Sequence, residues 1–154
     1  MSMLPQTTRR QFGAAMMTIR ALIMFDTATL LLFALLHLSG PLALDSIVLT
    51  EPRIIPAAVV EGLAGLIFAV SAYAVFARAS WAWLATIAAH VFALAGVLLG
   101  IVTIEAGFGP HSALNDGYHR LMVALLVVGL IVLATPDAKG GVRSGLGSRM
   151  TNEH

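Results

Sequence analysis

The chain has 154 residues, of which 58% are hydrophobic and only 11% charged. Globular domains carry about 25% Asp, Glu, Lys and Arg, so this composition cannot cover a water-facing surface and points to lipid as the natural solvent. The formal net charge of +1, without a basic stripe, argues against a nucleic-acid partner, and the lack of cysteine excludes disulfides, thiolate nucleophiles, iron–sulfur clusters and thiolate zinc sites.

A bilayer core of about 30 Å takes about 20 helical residues to cross. Four apolar runs have that length: Ile19 to Leu38, Pro56 to Ala77, Trp81 to Ile104 and Tyr118 to Thr135. Strands of a membrane barrel would alternate apolar and polar residues about ten at a time, whereas Leu121 to Ala134 is apolar all round. The expected fold is therefore an all-α integral membrane protein, a four-helix transmembrane bundle over residues 19–135. It is flanked by an N-terminal segment (1–18) and a polar tail (136–154).

The connections agree with this count. Ser39, Gly40 and Pro41 stop the first helix, and Pro52 and Pro56 precede the second. The link Arg78-Ala79-Ser80 makes the second and third helices an antiparallel hairpin. Gly107, Gly109 and Pro110 break the third connection, and Pro136 ends the fourth helix. Near the start, Thr8-Arg9-Arg10-Gln11-Phe12 is similar to the core of a twin-arginine export signal. The segment after it carries Arg20 and Asp26 and has no small-residue cleavage site before Pro41, so a retained helix is expected.

Orientation follows from the basic residues. Arg9, Arg10, Arg20, Arg78, Lys139, Arg143 and Arg149 fall on one side and Arg53 and Arg120 on the other. The positive-inside rule then places both termini in the cytoplasm of a bacterial-type cytoplasmic (inner) membrane, with Trp81 and Trp83 in its interfacial belt.

Ionisable residues within spanning helices are costly and normally face protein or water. At a rise of about 1.5 Å per residue, Asp26 and His90 lie at a common depth, roughly 10–15 Å from the cytoplasmic side. His37, Glu61, Glu105, Asp116, His119 and Arg120 lie near the outer boundary and come from all four helices. Asp116 and His119 are three apart and share a helical face. Glu61 shares its face with the small residues Ala58, Gly65 and Ala72, which turns it towards the bundle. Imidazole and carboxylate together suit iron, zinc, copper or manganese, so His37, Glu61, Asp116 and His119 form a candidate transition-metal set. His37 and His119 also match in depth as the axial pair of a haem. Asp26, His90, Glu105 and Arg120 complete the expected buried polar residues.

A plainer reading makes Asp116 the cap of the fourth helix, pairs Arg120 with Glu105 or Glu61, and ties His90 to Asp26 or Thr86. Asp26 and His37 share a face of the first helix, but Leu30 and Phe33 separate them, which weighs against a water-filled proton path. Gly96-Val97-Leu98-Leu99-Gly100 permits close helix approach, inside the bundle or against a partner. Because 154 residues leave little room for a separate soluble active domain, the first expectation is an accessory or structural subunit of a membrane complex, associating with itself or other membrane subunits. A metal- or haem-binding redox protein is the second expectation, and a carrier for a small lipid-soluble molecule the third.

Overall fold

The computed structural model describes residues 6–136 and 138–139, with the side chains of 6–13 and 44 set aside. Four helices run in chain order: α1 (Gln6–Ser39), α2 (Ile55–Phe76), α3 (Ala82–Glu105) and α4 (Ala113–Ala134). Each contains a stretch long and apolar enough to cross a membrane, beginning at Ala14 in α1. The expected tail lies outside the described residues at 137 and 140–154.

The surface is reversed relative to a soluble protein. Leu66, Val70, Leu84, Leu99, Val102 and Ile131 are exposed, while Asp26, His37, Glu61, Ser71, Thr86, His90, Asn115 and His119 are buried. Such a surface is tolerable only against lipid, and it makes this a multi-pass membrane protein. The remaining interior is packed around Ile23, Leu30, Phe68, Met122 and Leu126.

Helix ends follow local chemistry. α1 extends from Gln6, ahead of the expected start at Ile19, because Gln, Arg, Ala and Met in this stretch are all good helix formers. α2 ends in a Schellman-type turn, in which the Ala79 N–H donates to Ala74 O (2.9 Å) and Arg78 takes the left-handed position at φ 56°. That tight turn holds α2 and α3 together at one end only. α4 begins at Ala113, five residues before the expected start, because Ser112 is its cap: its Oγ accepts from the Asn115 N–H at 2.9 Å. Asp116 is therefore a first-turn residue and not the cap.

The loop between α1 and α2 holds an unexpected antiparallel hairpin, β1 (Leu42–Leu44) and β2 (Ile47–Leu49), with Asp45 at φ 54° in its two-residue turn. Beyond it Glu51 is buried, and its Oε1 accepts from the Ser112 hydroxyl at 2.6 Å. Ser112 thus accepts from its own helix and donates to the preceding loop. Ser112→Ala removes both bonds and is expected to lower stability by about 1.5–5 kcal/mol, the sum of a lost cap and an abandoned buried carboxylate, read as a lower thermal midpoint in lipid nanodiscs.

Candidate functional site

The last turn of α1 and the second turn of α2 carry the best-defined polar contact in the bundle. His37 Nδ1 is 2.7 Å from Glu61 Oε2, with both side chains buried. The His37 backbone is held independently, since its carbonyl accepts from the Ile54 N–H at 2.9 Å. Phe33, one turn earlier, sets its ring edgewise to the imidazole at 6.1 Å. The Nδ1 contact occupies one ring nitrogen, and Nε2 is left buried without a hydrogen-bond partner.

The third member, His119, comes from the second turn of α4. Its Nε2 lies where a Cβ on Gly100 would be, only 2.8 Å from that position. Gly100 therefore makes room for an imidazole inside the bundle. Gly96 faces Val60 of α2, with 2.8 Å from its missing Cβ to Val60 Cγ1. Both glycines of the Gly96/Gly100 pair thus serve internal contacts.

His37, Glu61, Asn115 and His119 line a cavity of about 280 Å³. Apart from Thr103 its other walls are apolar, with Ala57, Ala64 and Ala93 beside Val60, Val97 and Leu30. Its rim includes Pro56, Leu99, Thr103 and Phe108, all exposed. These residues belong to the start of α2, the end of α3 and the loop after it. α2 and α3 are tied at the Arg78 end, and the cavity opens between them at the other, against the lipid-facing surface.

The remaining residues of the expected outer cluster lie elsewhere. Asp116 is only half-buried and faces His111, with 3.6 Å between Oδ2 and Nδ1, on the outer side of α4. It shares a helical face with His119 but sits a turn nearer the helix end, where the bundle no longer covers it. Arg120 and Glu105 were expected among the buried polar residues, and both are exposed. Arg120 follows the inward pair Tyr118 and His119 and is rotated about 100° away from the core. Glu105 ends α3 after Ile104 has taken the inward position. Glu61 takes His37 as its partner, and neither Arg120 nor Glu105 joins an ion pair among the described residues. Among those residues no three of His, Asp or Glu come together as one metal's ligand set.

A second polar layer lies deeper. Asp26 of α1 and His90 of α3 approach to 3.8 Å between Oδ2 and Nε2, both fully buried. His90 Nδ1 donates to the Thr86 carbonyl at 2.7 Å. Thr86 Oγ1 donates to Ala82 O, so its 2.8 Å contact with Ser71 Oγ is one it accepts. Between the layers stands Tyr118, stacked on Phe33 at 3.6 Å with its ring nearly parallel. Its hydroxyl is buried in the interior.

Tyr118 and Asn115 belong to the polar run Asn115 to Arg120 that opens α4, a run visible in the sequence without roles attached. Glu51 gave no signal, because a loop carboxylate beside a proline is ordinarily solvated. Comparison of the chain with protein-family models, with curated proteins and with solved structures finds no match.

Proposed function

We propose that the protein binds a small lipid-soluble molecule with a hydrogen-bonding head group, taken up from the bilayer between α2 and α3. The observation that carries this reading is the cavity of about 280 Å³, apolar except where His37, Glu61, Asn115 and His119 meet. Ligand sites are concave and mostly apolar, with a few convergent polar groups that fix orientation. Their usual volumes are about 300–1,000 Å³, so this one suits a single ring or a short chain and not a macrocycle such as haem.

The polar groups explain what would be recognised. His37 Nε2 and Asn115 Oδ1 are buried and unpartnered acceptors, and leaving them so costs free energy that a ligand O–H or N–H donating to them would recover. An entrance facing lipid selects a ligand that partitions into lipid. The accessory-subunit expectation rested on the little room for a separate soluble active domain, and a binding site within the bundle needs no such domain. With the basic residues inside, both termini are cytoplasmic in an inner membrane and the cavity opens towards the outer leaflet.

The test is to purify the full chain directly in lipid nanodiscs, extract it with organic solvent, and identify what it holds by mass spectrometry, with metals counted by elemental analysis. Wild type is expected to retain about one lipophilic molecule per chain. Val60→Phe, which fills the half-buried wall, should lower this by at least about tenfold, the equivalent of about 1.4 kcal/mol, while Leu66→Phe on the lipid-facing side leaves it unchanged. Retention of bulk phospholipid alone, equal retention in Val60→Phe, or a stoichiometric metal in place of an organic ligand would overturn the proposal.

A further inference from the structure

The deeper layer calls for a different kind of ligand. Because a carbonyl oxygen only accepts, the 2.7 Å contact with Thr86 O requires a proton on His90 Nδ1. In the neutral ring Nε2 is then a bare acceptor, and it points at Asp26 Oδ2, 3.8 Å away. Neither Asp26 oxygen nor His90 Nε2 has a hydrogen-bond partner, and all three atoms are buried.

The count of protons between these groups is constrained by that geometry. With none, a carboxylate and an imidazole lone pair face each other in a water-poor interior, and a bare negative charge is left without a donor. With two, a carboxylic acid faces an imidazolium and a net positive charge is buried. With one, the pair is neutral overall and a single N–H···O or O–H···N bond forms after a closing movement of under 1 Å. Among the described residues no other charged side chain is within ion-pair distance of either group. α2 contributes Ser71 beside Thr86 and the Phe68 ring at 4.9 Å from the imidazole, and α1 contributes Arg20, which is turned onto Phe76. α4 contributes Gly129 against the ring and the hydroxyl of Tyr118 as its titratable group.

We propose that Asp26 and His90 form a proton-binding site inside the bundle, holding one proton between Asp26 Oδ2 and His90 Nε2. The site stands whether or not the cavity beside Glu61 holds a ligand.

The test uses the full chain in lipid nanodiscs, with infrared spectroscopy for the carboxyl group and nitrogen NMR of labelled histidine for the ring. Across about pH 5 to 8, where a free imidazole changes state, one proton is expected on the pair throughout: a carboxylic-acid band with neutral His90, or a carboxylate with imidazolium. The assigned signal should vanish in Asp26→Asn and shift in Asp26→Glu. A carboxylate facing an imidazole unprotonated at Nε2 would overturn the proposal, and its dependence on added sodium would identify a metal-cation site instead. A carboxylic acid facing an imidazolium would overturn the single-proton count.

Discussion

Adding one methyl group at Gly129 is expected to destabilise the bundle by about 2–4 kcal/mol, against the usual effect of alanine in a helix. A Cβ at this position would stand 2.2 Å from His90 Nε2 and 2.5 Å from Cδ2, distances that neither atom can keep. The ring has little freedom to withdraw, since Nδ1 is bound to Thr86 O at 2.7 Å and Phe68 lies 4.9 Å from it. Helix propensity favours the change by about 1 kcal/mol. Overpacking opposes it by about 1–3 kcal/mol, and breaking the Thr86 bond to leave a buried N–H unpaired opposes it by about 1–3 kcal/mol more. Gly117 on the same helix is the control, because a Cβ there meets nothing within 4 Å. Gly117→Ala should therefore stabilise by about 0.5–1 kcal/mol. Thermal unfolding of the two variants in one lipid preparation checks the argument, and shifts of the same sign would refute the packing assigned to His90.

Depth along the membrane normal was legible in the sequence, whereas rotation about the helix axis was legible on α2, where Ala58, Gly65 and Ala72 mark the buried face of Glu61, and not on α3 or α4. Counting residues from the helix ends sets Asp26 level with His90, and His37 level with Glu61 and His119; in the structure these groups do face one another. The same count gathered Asp116, Glu105 and Arg120 at the outer level, yet they turn outward. The spanning helices are apolar nearly all round, so their hydrophobic pattern has no polar face from which a rotation could be read. The inward direction is marked instead by which glycine receives which side chain, as Gly100 does for His119 and Gly129 for His90. Those pairings are contacts between different helices and leave no local spacing in the sequence.

Helix ends were legible to the extent that punctuation set them. Proline and glycine marked the C-terminal ends of α1, α3 and α4 and the start of α2 to within a residue or two. At α4 the conspicuous Asp116 displaced attention from Ser112, whose spacing to Asn115 is the signal of a cap. The hairpin Leu42 to Leu49 was missed because its six strand residues are apolar on both faces and its turn, Asp45-Ser46, lacks the glycine that usually marks a tight hairpin.

The His37–Glu61 pair allows stability and recognition to be separated in one set of variants. Glu61→Leu or His37→Leu alone leaves the other member buried without its partner, and each is expected to cost about 3–5 kcal/mol. The double variant removes both polar groups and puts two leucines where α1 and α2 meet, so it should return to within about 1 kcal/mol of wild type. The resulting interaction term is large, at least about 5 kcal/mol, and thermal unfolding in nanodiscs measures it as the departure from additivity. If the double variant is as unstable as the sum of the singles, the 2.7 Å contact contributes nothing to the fold. Ligand retention should follow a different pattern, falling by about tenfold or more in all three variants, because the refolded double variant still lacks the groups that orient the head group. A double variant that regains both stability and ligand would assign recognition to His119 and Asn115 alone. One that regains stability without ligand would show that the polar pair is kept in the membrane interior for binding, since leucines hold the helices together as well.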